Sequence, residues 1–219
     1  MPTITDLAGP AGGLEAVLEP PADGRADTAI RAAVVFAHPH PQFGGTMHTK
    51  VVYQGAKALS RIGCAVLRFN FRGVGRSEGQ FDQGDGEKED FTAAIDYVAT
   101  HFPEARIWAS GFSFGAWVAL EVGATDDRVS VLIGIAPPVA TSASGMQYSF
   151  PRTLESTRPK FFVQGEADEV CPLEALWQFY GRLKEPKEIV VIDGADHLFD
   201  GKTTEVGEAL EELLGDFEG

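Results

Sequence analysis

The chain has 219 residues, 44% of them apolar and 23% charged, a balance typical of globular proteins and unlike disordered ones. Acidic residues outnumber basic ones by 32 to 18, giving a net charge of −14; such a surface repels nucleic acid and anionic membrane, and no basic run offsets it. Only Cys64 and Cys171 are present, which is no disulfide framework, and the start "MPTITDLAGPAGG" lacks the basic and apolar regions of a signal peptide, so a soluble, reduced, cytoplasmic protein is expected.

A chain of this length can bury roughly 70% or more of its unfolded surface, and no composition shift divides it, so one domain over residues 1–219 is expected. In chain order, "TITDLAG…LEAVLEPP" alternates polar and apolar residues around a Gly-Pro-Ala-Gly-Gly turn and reads as an antiparallel hairpin on one edge of a sheet. "AAVVFA" (32–37) reads as a buried strand. "KVVYQGAKALSRIG" carries a helical apolar stripe at Val51, Val52, Ala58, Leu59 and Ile62, with Gly63 placed to end it. "CAVLRFNF" (64–71) is a strand and "DFTAAIDYVATHF" (90–102) a helix stopped by Pro103.

The alternation continues with the strand "ARIWASGF" and the helix "FGAWVALEVGA". Further strands follow at "VSVLIGIA" (129–136), "KFFVQG" (160–165) and "EIVVID" (188–193), with a helix near 172–184 between the last two. The closing segment "TEVGEALEELLGDF" places Val206, Leu210, Leu213, Leu214 and Phe217 on one helical face. At least five apolar strands separated by helices predict an α/β, doubly wound, mostly parallel sheet covered on both faces. No apolar stretch is long enough to span a bilayer as a helix.

Gly111-Phe112-Ser113-Phe114-Gly115 has the pattern G-x-S-x-G, and it falls between a strand and a helix. A sharp strand-to-helix turn needs small flanks, and it would hold Ser113 exposed at a helix N-terminus. A serine hydroxyl needs a base and an acid that orients the base. His197, just past the strand "EIVVID", is the only histidine after Ser113 and is the expected base. Asp168, just past "KFFVQG", is the expected acid; Glu166 and Glu169 flank it, and Asp193 and Asp196 lie near the base.

Donors for a developing oxyanion are expected from the backbone N–H of Phe114 and from the loop "HPHPQFGG" after the first strand. Pro39 and Pro41 have no N–H, so His40 is the expected second donor, with Gln42 and Phe43 in reserve. His38, His40 and His48 invite a metal reading, but the surrounding carboxylates and cysteines supply no matching ligand set. No metal and no cofactor are expected, and the imidazole of His38 is expected to hold its loop. "RGVGRSEG" is not G-x-G-x-x-G and precedes an acidic segment, which argues against a dinucleotide.

These segments together resemble the α/β-hydrolase superfamily. "HPHPQFGGTMHTKVV", "RFNFRGVGRSEGQFDQGDGE", "GFSFGA", "IAPP", "QGEADEV" and "GADHLF" occur in order from about residue 30 to the C-terminus, and the ordered set resembles a subfamily of small bacterial serine hydrolases. The resemblance implies Ser113 as nucleophile, Asp168 as acid and His197 as base. Pro39 departs from commoner members, many of which have glycine after the histidine.

Between "IAPP" and "KFFVQG" only a short segment remains, too short for a helical cap domain. The site is therefore expected to be open, with Met146, Tyr148, Phe150 and Trp177 as pocket walls. The expected function is hydrolysis of carboxylic esters through an acyl-enzyme on Ser113, with short-chain esters favoured by the open site. A thioesterase or small acyl-peptide hydrolase would use the same groups, and a ligand-binding protein on this scaffold would bind without turnover. A dienelactone-type hydrolase would carry cysteine at position 113. Apart from a small-molecule ester, the expected partners include no nucleic acid and no membrane; a homodimer is left open.

Overall fold

A computed structural model describes residues 3–4, 6–22, 30–139 and 147–217. Its strands are β1 (Thr3–Ile4), β2 (Ala8–Gly9), β3 (Gly12–Gly13), β4 (Ala16–Glu19), β5 (Ala32–Ala37), β6 (Ala65–Phe69), β7 (Arg106–Phe112), β8 (Val129–Ile135), β9 (Lys160–Gly165) and β10 (Lys187–Ile192). Its α-helices are α1 (Lys50–Arg61), α2 (Asp85–His101), α3 (Phe114–Gly123), α4 (Pro151–Glu155), α5 (Leu173–Tyr180) and α6 (Thr203–Leu214). The main sheet runs β1-β4-β6-β5-β7-β8-β9-β10. β6 through β10 in that order pair in parallel, and β1 and β4 add an antiparallel edge. This is the expected α/β, doubly wound architecture, an α/β-hydrolase fold.

The near-continuous apolar strands are explained by burial on both faces. Along β5, Ala33, Val35 and Ala37 join the core under α2, α3 and α5, while Ala32, Val34 and Phe36 join the core under α1 and α6. The same two-residue alternation sends Ile107 and Ala109 of β7 one way and Trp108 and Phe112 the other.

The N-terminal segment is the expected antiparallel hairpin on one sheet edge: β1 pairs with β4 in the main sheet, and β2 and β3 pair in a separate two-stranded ladder around the Pro10-Ala11 turn. α2 begins at Asp85 rather than near residue 90. The carboxylate of Glu87 accepts the N–H groups of Gly84 (2.6 Å) and Asp82 (3.0 Å), which satisfies donors left free at a helix start. That turn is polar and glycine-rich, so it carries no apolar stripe. The helix expected near 172–184 spans Leu173–Tyr180.

From β5 the chain crosses to β6 on one side, then returns to β7 on the other. Loops leaving the carboxyl ends of β5 and β7 therefore diverge, and a crevice opens between them. Both segments that carry the candidate chemistry, the loop after β5 and the turn after β7, emerge there.

Candidate active site

Ser113 sits between β7 and α3 with φ 54° and ψ −119°, a backbone region that non-glycine residues avoid at a cost of about 1–3 kcal/mol. The flanking glycines permit the turn because nothing larger fits. A Cβ on Gly111 would stand 2.1 Å from the carbonyl oxygen of Gly115, and one on Gly115 would stand 2.4 Å from the carbonyl oxygen of His38. The turn is pinned by the Ser113 N–H donating to the Ile135 carbonyl (2.8 Å).

Three side chains from three loops meet in sequence. His197 Nε2 lies 3.0 Å from Ser113 Oγ, and His197 Nδ1 lies 2.8 Å from Asp168 Oδ2. The Asp168 carboxylate is fully buried and fixed by other donors: Oδ1 accepts the N–H groups of Val170 (2.9 Å) and Cys171 (2.7 Å), and Oδ2 accepts Gln164 Nε2 (3.0 Å). A buried carboxylate that accepts this many bonds stays an acceptor, so Nδ1 of His197 carries the hydrogen and Nε2 presents its lone pair to the hydroxyl. The arrangement can draw a proton from Ser113 Oγ.

Two other carboxylates, Glu166 near Asp168 and Asp196 beside His197 in sequence, bond backbone groups instead. Glu166 accepts the N–H of Gly194 (2.9 Å) and Asp196 accepts that of Asp200 (2.9 Å). Gln164 is a site residue the sequence reading missed; its signal was a polar residue ending an apolar strand, "KFFVQG".

His38 is buried with both ring nitrogens engaged: Nδ1 bonds the Pro39 carbonyl (2.6 Å), and Nε2 accepts the N–H of Phe71 (3.1 Å). Burial pushes its pKa down to about 4, so the ring is neutral and ties the loop after β5 to the segment after β6. It has no lone pair left for a metal. His40 Nδ1 accepts the Gln42 N–H (3.2 Å), and burial lowers its pKa as well. His38, one of the three histidines of the rival metal reading, thus offers no ligand atom. Among the described residues, Asp168, Cys171 and His197 form the one close group of metal-ligating side chains, and its carboxylate and imidazole are already joined. Burial, with Asp168 beside it, pushes the Cys171 thiol pKa well up, so it is not a reactive thiolate.

A cavity of about 260 Å³ opens over Ser113, lined by Pro39, His40, Phe43, Phe114, Pro138, Tyr148, Val170, His197 and Leu198. The backbone N–H groups of His40 and Phe114 have no hydrogen-bond partner among the described residues. Of the expected pocket walls, Tyr148 lines the cavity, and burial raises its phenol to about 12. Met146 lies outside the described residues. Phe150 and Trp177 are corrections: Phe150 packs in the core against Phe179 (5.0 Å between ring centroids), and Trp177 on α5 stands edge-on to Tyr180. Both were expected as walls of an open site, whereas the cavity is lined by loop residues that surround Ser113 and His197. A larger depression of about 610 Å³, lined by Ala124, Thr125, Arg152 and Arg158 among others, lies at the far end of α3. A ten-residue helix separates it from Ser113 by roughly 15 Å.

A family model described as "Serine aminopeptidase, S33" matches residues 28–158. An uncharacterized protein of Rickettsia prowazekii (strain Madrid E) is 38% identical over 183 residues, covering 81% of this chain and 76% of the relative. Among solved structures, an alpha-beta serine hydrolase homologue from Coxiella burnetii is 40% identical and covers 97% of both chains, with a TM-score of 0.86. A Xanthomonas campestris protein described as an a/b serine hydrolase without lid is 34% identical, with a TM-score of 0.84; the match covers 96% of this chain and 92% of that one.

Proposed function

The chain belongs to the α/β-hydrolase family of serine hydrolases described as serine aminopeptidase, S33, and from that premise we propose that it cleaves short-chain carboxylic esters through an acyl-enzyme on Ser113. Ser113 Oγ attacks the ester carbonyl as His197 Nε2 takes its proton. Asp168 holds the imidazole in the required tautomer and stabilises the imidazolium. The N–H groups of Phe114 and His40 receive the oxyanion. The tetrahedral intermediate collapses, His197 returns the proton to the leaving alcohol, and water then releases the acid by the same steps. The HPHP loop and the GFSFG turn support a narrower reading, a subfamily of small bacterial serine hydrolases that carry both.

The carrying observation is the hydroxyl–imidazole–carboxylate relay, 3.0 Å and 2.8 Å long, with a carboxylate already satisfied by three further donors. The N–H groups of His40 and Phe114, without a hydrogen-bond partner among the described residues and in residues that line the cavity over Ser113, support the oxyanion assignment. Short acyl groups are favoured because about 260 Å³ is below the roughly 300–1,000 Å³ of sites for drug-sized ligands. A peptide-cleaving reading is favoured by the family description alone.

The test is p-nitrophenyl acetate, butyrate and octanoate with wild type and Ser113→Ala. Turnover that falls with chain length and is lost in the variant supports the proposal. Equal rates in both proteins would remove Ser113 from its role.

A further inference from the structure

Three of the five large apolar side chains most exposed among the described residues ring one opening. Phe43 is 74% exposed, Leu198 60% and Val170 55%, and all three line the cavity over Ser113. They come from three separate loops, after β5, β9 and β10. Exposed apolar side chains scattered singly need no explanation, but a convergent set at a cavity mouth marks a surface that something apolar covers.

Two of those loops are also acidic. The loop that carries Val170 holds Glu166 and Glu169, and the loop that carries Leu198 holds Asp193, Asp196 and Asp200, all five exposed. Among the described residues none of the five is ion-paired. The one basic side chain on these loops, Lys202, lies 3.4 Å from Glu205. The loop after β5 contributes histidines but no lysine, arginine or carboxylate over residues 38–49. Charge of one sign around a low-dielectric opening focuses the field there, which favours ligands of opposite sign and repels like charge.

We propose that the mouth is a leaving-group filter: the Phe43–Val170–Leu198 collar takes the part of the substrate that stays outside the cavity, accepts it when apolar and neutral or cationic, and rejects it when it carries phosphates. This rests on the ester-hydrolase reading and narrows its substrate class. A coenzyme-sized thiol cannot enter a cavity of about 260 Å³, so it would lie across the acidic loops. The filter thus places thioesters of phosphate-bearing carriers outside the natural substrates and places esters of apolar amino alcohols and neutral alcohols within them.

The test separates binding from turnover. Binding of butyrylthiocholine and of butyryl-coenzyme A to Ser113→Ala is measured by calorimetry at about 0.01 M and about 0.5 M salt, where the Debye length falls from roughly 30 Å to a few ångströms. The two ligands share the acyl group and the thioester and differ in leaving-group charge. The filter requires the cationic ligand to bind at least about tenfold tighter at low salt, with the gap closing at high salt. Glu169→Gln with Asp196→Asn should shrink the gap, and Phe43→Ala should weaken the cationic ligand. Equal binding, tighter binding of the coenzyme thioester, no salt dependence or no binding of either ligand would each overturn the filter. Hydrolysis of p-nitrophenyl butyrate by the wild type is followed in parallel. A binding gap without that turnover would leave the filter and overturn the hydrolase reading; turnover without the gap would do the reverse.

Discussion

Replacing Asp168 by Asn changes one atom and, from the geometry, inverts the tautomer of His197. Oδ1 accepts the N–H groups of Val170 and Cys171, so the Asn carbonyl must stay on that side and its NH₂ must take the place of Oδ2. That NH₂ then faces His197 Nδ1 at about the 2.8 Å now separating it from Oδ2. A donor there requires Nδ1 to accept, which moves the ring hydrogen to Nε2, opposite Ser113 Oγ, where a lone pair is needed. The same NH₂ also meets Gln164 Nε2, now 3.0 Å from Oδ2. A flip of the Gln164 amide would relieve that clash but sacrifice its bond to the Cys171 carbonyl, and neither orientation restores an acceptor for Nδ1. The expected loss in kcat is about 10⁴-fold, the magnitude seen when a triad acid becomes its amide, or about 5.5 kcal/mol of barrier. The assay is p-nitrophenyl butyrate turnover at neutral pH, with a thermal melt to show that the fold persists. Glu166→Gln and Asp196→Asn, whose carboxylates bond other backbone groups, should stay near wild type. Asp168→Asn within tenfold of wild type would refute the assignment of this carboxylate as the group that sets the tautomer.

Ser113→Gly should melt higher than Ser113→Ala, because glycine accepts φ 54° without the cost of about 1–3 kcal/mol, worth about 2–4 °C per kcal/mol in a chain of this size; a lower melt for the glycine variant would deny the strain. Gly115→Ala, whose Cβ would sit 2.4 Å from the His38 carbonyl oxygen, should lose more than about tenfold in kcat/KM and about 1–3 kcal/mol of stability, as overpacked sites do; kinetics and chemical denaturation check both. His38 has its folded pKa lowered to about 4 from 6.5, so the unfolded chain binds its proton first. Stability from this group is complete above about pH 6.5 and is lost as pH falls to about 4, by an amount on the order of 3 kcal/mol. Urea midpoints across that window should fall less steeply for His38→Asn than for wild type, and parallel slopes would remove His38 from the effect.

Most of the parallel sheet was legible because strands buried on both faces are short apolar runs, as in "AAVVFA" and "KFFVQG", and little else reads that way. The start of α2 was not, since its first turn is held by the Glu87 carboxylate rather than by an apolar face. Ser113 stood out because it directly follows a strand, and His197 because it lies in the loop after one and is the only histidine beyond Ser113. Asp168 had acidic neighbours on both sides; only the folded loop shows that its carboxylate, and not that of Glu166 or Glu169, turns inward to meet two backbone N–H groups and His197. The pocket was the least legible part. Phe150 and Trp177 are aromatic and near the site in sequence, but one faces the core and the other stands on the outer side of α5, whereas Phe43, Val170 and Leu198 are single apolar residues in polar loops whose convergence exists only in three dimensions.

The most direct test of the account is to mix the protein with p-nitrophenyl butyrate, quench in acid within the first turnovers, and map the added mass by peptide mass spectrometry. One butyryl group is expected on the peptide that contains Ser113, on the serine itself, and none in Ser113→Ala. Steady turnover with the acyl group on another residue, or with no acyl-protein at any quench time, would contradict it.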